Sequence, residues 1–343
     1  MGIWVTEANI EKIVADNFGE VCLQRLAQDA SSRSYYRATK GDSSFIIMVV
    51  HKDPLKSDEV VDGEIPKEMP FLDVQRFLKK GYIPVPDVLD FGKYDNVIVL
   101  EDLGDLTVER ALQLGHEKER LYFDAIDLMA RMHSYAEKNK GENCICYKRR
   151  FGDGLLRWEL EHFYEYILCE WSERKPNAGH KKVLEGFFDK LVGMLTSLPY
   201  GFVHRDFQSR NLMLKDGRLY VIDFQDALWG PYIYDLVSLL RDSYVEFKKE
   251  EVLKFVDHFL DARKEVGLFC FDFETTLRHF HLQALQRKLK DAGRFVYIDR
   301  VKKNPKFLPN IPRSLMYAKE ALDFLEDFKE AFEVLKELLP KYF

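Results

Sequence analysis

GFVHRDFQSRNLML, residues 201 to 214, sets a histidine, two arginines, an aspartate, a glutamine, a serine and an asparagine between two apolar flanks. A run that otherwise reads as buried is interrupted by groups that all need partners. Asp206 precedes Asn211 by five residues, and IDFQDA brings Asp223 twelve residues further on. Between them LMLKDGRLYVIDF (212–224) reads as a tight hairpin around Asp216 and Gly217, a dipeptide suited to two-residue turns. Magnesium takes hard oxygen ligands, usually one or two carboxylates completed by phosphate oxygens, and Asn211 with Asp223 supplies such a pair. Asp206 is then left to accept the proton of an incoming hydroxyl. Phosphoryl transfer asks a protein mainly for positioning and charge neutralisation, so three side chains suffice for this division of labour. Isolated Asp and Asn residues are common in turns, but here His204, Asp206, Asn211 and Asp223 come in order, with a hairpin between them.

The rest of the chain bounds what this stretch can be. Its 343 residues exceed the usual single-domain size, so two lobes are expected. With 46% apolar and 14% aromatic residues it can build a sizeable core. A net charge of −6, from 51 basic and 57 acidic side chains, argues against a nucleic-acid partner bound on a broad cationic face. Cysteines at 22, 144, 146, 169 and 270 form no CxxC pair, which fits a reduced, cytoplasmic chain. Cys144 and Cys146 lack the second pair a zinc site needs. MGIWVTEANIEKIV has no basic stretch leading into an apolar one and reads as a surface helix capped by Thr6; no apolar run approaches membrane-spanning length, so no membrane partner is expected.

The first hundred residues read mainly as strands. SYYRAT (34–39) and SFIIMVV (44–50) flank the turn cluster KGDS as a hairpin. Residues 51–70 carry three prolines and read as a long loop, and FLDVQRFLKKG (71–81) has helical spacing with Gly81 as its stop. PDVLDFG and NVIVLEDLG follow as two more strands. After Gly104 the character changes to helices at roughly 118–138, 155–170, 180–197, 248–264, 272–291 and 313–338. Pattern alone gives a strand-rich lobe joined to a larger helical one near 101–105.

GFVHRDFQSRNLM, VIDFQDALWGPYIYDLVSLLRDSY and ALQRKLKDAGRF resemble the aminoglycoside phosphotransferase family, whose fold is protein-kinase-like, and within it the anomeric sugar kinases. The resemblance implies an α+β, two-lobed fold: a nucleotide-binding lobe over 1–103 ending in the hinge, and a helical lobe over 104–343 with the catalytic loop and sugar site. It implies an ATP- and Mg2+-dependent kinase of the cytoplasm acting on the C1 hydroxyl of N-acetylmuramate or N-acetylglucosamine during peptidoglycan recycling. The sugar 1-phosphate would pass to a separate nucleotidyltransferase. Residue by residue, Asp206 matches the catalytic base, Asn211 and Asp223 the metal ligands, His204 the histidine that braces the loop, and Asp235 a buried acid that holds it. LEDLG (100–104) matches the hinge, with backbone at Glu101 to Leu103 facing adenine.

The chain departs from the kinase pattern in the first lobe. Met48 stands where a strand lysine grips phosphates, and Asp73 is the only acid on the helix that should supply its partner. DASSRSYYR (29–37) has no glycine; either Ser31 and Ser32 let backbone N–H groups approach phosphate, or the stretch is a plain polar turn. Arg37, with Arg33 behind it, is the candidate replacement cation, a solvated strand arginine being the other reading. For the sugar, Gln208, Gln225, Asp226, Arg241 and Asp242 are candidate contacts alongside Asp206. Arg287 could pair with a lactyl carboxylate or with an acid of the helical lobe. Two other functions stay open: a kinase for another small hydroxyl compound, such as an amino alcohol or aminoglycoside, and an inactive nucleotide-binding regulator. Retention of Asp206, Asn211 and Asp223 together weighs against the second.

Overall fold

Alternating apolar runs assemble the first lobe. The computed structural model describes residues 5–6, 9–26, 33–51, 68–91 and 96–343. Strands β1 (Cys22–Arg25), β2 (Arg33–Lys40), β3 (Ser43–Val50), β4 (Val88–Phe91) and β5 (Val97–Glu101) form an antiparallel sheet in the order β1-β2-β3-β5-β4. Period-two alternation gives it two chemical faces. Tyr36, Ala38, Ile47 and Val49 pack against Ile10 and Val14 of helix α1 (Ile10–Phe18). Met48, Val50, Ile98 and Leu100 face the other way, onto Val74, Phe77 and Leu78 of α2 (Pro70–Lys80), and that core runs on into the helices. Arg33, Tyr35 and Arg37 lie opposite Val50, Met48 and Ile46, so all three share the second face.

The 34–50 hairpin and α2 lie where their patterns place them. Strand β1 was not expected: CLQR is an edge strand with mostly exposed side chains and no apolar alternation to announce it. Thr6 does not cap α1; its N–H donates to Asn9 Oδ1 at 2.6 Å and the helix begins at Ile10. Gly81 ends α2 for a reason other than backbone freedom. Its φ is −80°, but a Cβ there would lie 2.5 Å from the Tyr135 ring. The long loop expected at 51–70 lies outside the described residues over 52–67.

The second lobe comprises α3 (Val108–Gln113), α4 (Lys118–Lys138), α5 (Asp153–His162), α6 (Ala178–Thr196), α7 (Tyr234–Leu240), α8 (Lys249–Glu265), α9 (Phe273–Lys302), α10 (Ile311–Phe324) and α11 (Lys329–Leu338). Two strand pairs interrupt the helices: β6 (Tyr200–Val203) with β9 (Leu228–Pro231), and β7 (Leu212–Lys215) with β8 (Arg218–Val221). The helix expected over 313–338 is two. Leu325 adopts extended backbone between them and is buried along with Phe328, while Asp327 accepts from Arg278 at 2.7 Å; turning the chain there satisfies all three.

Past His162, α5 becomes a π-helix over Phe163–Trp171, and α9 crosses it at Gly293. A Cβ on Gly293 would lie 2.6 Å from both the carbon and oxygen of the His162 carbonyl, which are backbone atoms. Gly293→Ala is therefore expected to lower the melting temperature, by the equivalent of about 1–3 kcal/mol, although alanine favours helix. A higher melting temperature would show that the two helices are not this close.

Candidate active site

The loop that carries Asp206 is hung from one buried carboxylate. Asp235, at the start of α7 and fully buried, accepts the His204 N–H at 2.8 Å through Oδ2 and the Arg205 N–H at 3.1 Å through Oδ1. His133 of α4 closes on Oδ2 at 3.3 Å. The His204 ring bonds forward: Nε2 donates to the Ile222 carbonyl at 3.0 Å, tying the loop to the end of the β7–β8 hairpin. That hairpin turns at Asp216 and Gly217, both with positive φ, as a two-residue turn requires. Arg205 and Asp223 also carry positive φ, 78° and 63°, an uncommon conformation for residues with side chains.

This scaffold sets Asp206, Asn211 and Asp223 together. Ile222 N–H donates to the Asn211 carbonyl at 3.0 Å, so Asn211 and Asp223 share the open end of the hairpin. Asn211 Nδ2 donates to the Asp206 carbonyl at 2.9 Å, which ties the two residues together within the loop. Burial pushes the Asp223 carboxyl up; Arg33 and Gln225 pull it down, and the charges of Asp206 and Asp226 push it up again. A concentration of acids with an oxygen-only donor pair suits a hard divalent cation bound with phosphate. Among the described residues no group of three or more His, Cys, Asp and Glu stands ready for a metal, so any ion there would complete its shell elsewhere.

The remaining candidates divide between this centre and other places. Arg33 Nη1 lies 3.5 Å from Asp223 Oδ1, reaching the centre from the sheet face where Met48 is fully buried. Arg37 instead grips the segment that follows β5: it bonds Asp102 at 2.7 and 3.0 Å and Asp105 at 2.9 and 3.0 Å. Burial pushes the Asp102 carboxyl up, but Arg37 and the Gly104 N–H outweigh it and hold it below the usual carboxylate range. Glu101 accepts from Lys215 at 2.8 Å, a second tie between sheet and hairpin. The Leu103 backbone takes part in no hydrogen bond among the described residues. Ser31 and Ser32 lie outside the described residues. Asp73 accepts the Ile145 N–H at 2.6 Å and so docks α2 onto the helical lobe.

Of the candidate sugar contacts, Gln225 bonds Asp223 at 2.8 Å and Asp226 at 3.1 Å, keeping both carboxylates with the centre. Gln208 sits in the loop two residues after Asp206 and is half-buried. Asp242 is buried under the loop and accepts both the N–H and the hydroxyl of Ser209, at 2.9 and 2.5 Å; burial pushes its carboxyl up. Arg241 pairs with Glu320 at 2.9 Å and stacks on Tyr317, which places it between α7 and α10. Arg210 forks onto Glu109 and lies 3.4 Å over the Tyr244 ring. Arg287 donates to Asp206 Oδ1 at 3.0 Å, so an acid of the helical lobe is its partner, and that acid is the loop carboxylate itself. Sequence reasoning missed Asp102, Lys215 and Glu159, the last of which joins Arg205 to Gln286 inside the helical lobe. No local pattern marks them, because each matters only through a distant partner.

A five-stranded antiparallel sheet joined to a mostly helical lobe, with Asp206, Asn211 and Asp223 gathered at a hairpin end, is the layout of a protein-kinase-like phosphotransferase. The sequence profile of the phosphotransferase enzyme family matches residues 23–269, and the chain belongs to that family. It is 32% identical to the N-acetylmuramate/N-acetylglucosamine kinase of Neisseria meningitidis serogroup B over 91% of this chain and 89% of the relative. It is 29% identical to the kinase of the same name from Pseudomonas aeruginosa, over 98% and 96%. Among solved structures, the choline kinase LicA of Streptococcus pneumoniae superposes with a TM-score of 0.62 at 14% identity, covering 92% of this chain and 99% of that one. The chain is thus a kinase that transfers a phosphoryl group to an alcohol. No helix among the described residues is long and apolar enough to cross a membrane.

Proposed function

We propose that this protein is an ATP- and Mg2+-dependent sugar kinase that phosphorylates the C1 hydroxyl of N-acetylmuramate or N-acetylglucosamine. What supports it is the hairpin end, where Asn211, tied through Nδ2 to the Asp206 carbonyl and through its own carbonyl to Ile222, stands next to Asp223, in a chain whose relatives bear that kinase name. Asp206 takes the proton of the acceptor hydroxyl as the phosphoryl group arrives. Asn211 and Asp223 hold Mg2+, which when bound neutralises charge on the transferring phosphates. His204 braces the loop. Arg33, next to Asp223, serves in place of the absent strand lysine, with Ser31 and Ser32 just before it in the sequence. Residues 1–103 form the nucleotide lobe, with adenine at the backbone of Glu101 to Leu103, and residues 104–343 the lobe that binds the sugar. Gln208, Gln225 and Asp226 are the side chains nearest the acceptor position.

An anomeric hydroxyl is more acidic than an ordinary alcohol because the ring oxygen withdraws charge, so one aspartate is an adequate base. The product, a sugar 1-phosphate, is the form a separate nucleotidyltransferase accepts. Free thiols at all five cysteines suit a reducing cytoplasm. ADP release with Mg·ATP tests the assignment of the acceptor. The free sugars are expected to turn over and their methyl glycosides, blocked at C1, to be inert; turnover of the glycosides would sink the anomeric assignment.

A further inference from the structure

Arg287 lies on α9, far along the chain from the catalytic loop, and is only 4% exposed. Its guanidinium forks across two consecutive loop residues. Nη2 donates to Asp206 Oδ1 at 3.0 Å, and Nη1 donates to the Arg205 carbonyl at 2.7 Å. The fork is itself braced. Nη1 also donates to the Tyr234 hydroxyl at 2.8 Å, the guanidinium lies over the Tyr234 ring, and Asp291 stands 3.9 Å from Nε. The two groups it holds are those that need holding. The Asp206 side chain is 47% exposed at the mouth of the site. Arg205 is in the left-handed region at φ 78°, and its carbonyl is otherwise secured by the Ser238 hydroxyl at 3.1 Å.

We propose that Arg287 is a positioning residue for phosphoryl transfer. By taking Oδ1 of Asp206 it fixes the carboxylate plane and turns Oδ2 toward the acceptor hydroxyl. By taking the Arg205 carbonyl it maintains the strained turn that presents Asp206. A planar fork suits both tasks where a lysine does not, because two donors in fixed relation set an angle as well as a distance. With the fork committed to the loop, Arg287 acts through the base rather than on the sugar. The proposal rests on the reading of Asp206 as the base.

The test is steady-state kinetics of Arg287→Ala with Mg·ATP and N-acetylglucosamine, alongside circular dichroism to establish folding. Misplacing a reacting group by about 1 Å costs roughly 100-fold, so kcat is expected to fall about 100-fold with KM for sugar and ATP nearly unchanged. Added guanidinium ion, filling the space left by the side chain, should raise the variant's kcat about tenfold and leave the native enzyme unaffected. A raised sugar KM with kcat retained would make Arg287 a substrate contact and overturn the proposal, as would a folded variant that guanidinium does not rescue. If Arg287→Ala does not fold, Arg287→Lys carries the test: charge without the fork should lower kcat about tenfold at constant KM, and a full kcat would overturn it. Asp206→Asn separates this inference from the reading beneath it. That variant should be inactive with or without guanidinium; if it turns over, the base assignment fails, whatever the Arg287 variants do.

Discussion

Asp206→Ala is expected to lose turnover by about 10²- to 10⁴-fold, the span that a positioned general base contributes, while binding Mg·ATP as the native protein does. The reasoning is geometric. The Asp206 carbonyl accepts from Asn211 and from the Gln208 N–H, and among its side-chain contacts Oδ1 accepts from Arg287. Replacing the side chain leaves the carbonyl contacts in place, so Asn211 keeps its position beside Asp223. Arg287 keeps its bonds to the Arg205 carbonyl and Tyr234, and Asp291 at 3.9 Å from Nε remains as its counter-charge. The loss should therefore fall on kcat. Calorimetric titration with Mg·ATP beside single-turnover kinetics checks both halves, and retained turnover would remove Asp206 from the chemistry.

Asp235→Ala is expected to damage stability and activity together. Its carboxylate is fully buried and accepts two backbone N–H groups, from His204 and Arg205, besides closing on His133. Deleting it leaves two buried donors without partners, each costing about 1–3 kcal/mol, for a total of about 2–6 kcal/mol. The same two residues set the left-handed turn before Asp206, so the protein that still folds should turn over slowly. Asp235→Asn retains one acceptor oxygen and should lie between the two. Urea denaturation of the three proteins orders them; an alanine variant of native stability would mean that the loop does not hang from Asp235.

Much of this architecture is legible in the sequence because its causes are local. The alternation in SYYRAT and SFIIMVV makes a two-faced hairpin, and Asp216 with Gly217 tolerates the positive φ of a two-residue turn. The apolar stripe of FLDVQRFLKK buries Phe71, Val74, Phe77 and Leu78. What local pattern does not reveal is the choice of partner. Arg37 and Arg33 share one sheet face, yet one bonds Asp102 and Asp105 after β5 while the other reaches Asp223. Arg287 as a residue type offers a fork for any carboxylate, and only the packing of α9 against the loop sets that carboxylate as Asp206. The break at Leu325 is hidden for the same reason: its helical pattern runs on, and a distant arginine, Arg278, meets Asp327 at the turn.

Phosphoryl transfer to the anomeric oxygen can be read from the product itself. Proton and phosphorus magnetic resonance on the sugar recovered after incubation with Mg·ATP reads the position of the new bond. A phosphorus signal coupled to the anomeric proton is expected. A phosphorus signal coupled instead to the C6 methylene protons, or no phosphorylated sugar at all, would contradict it.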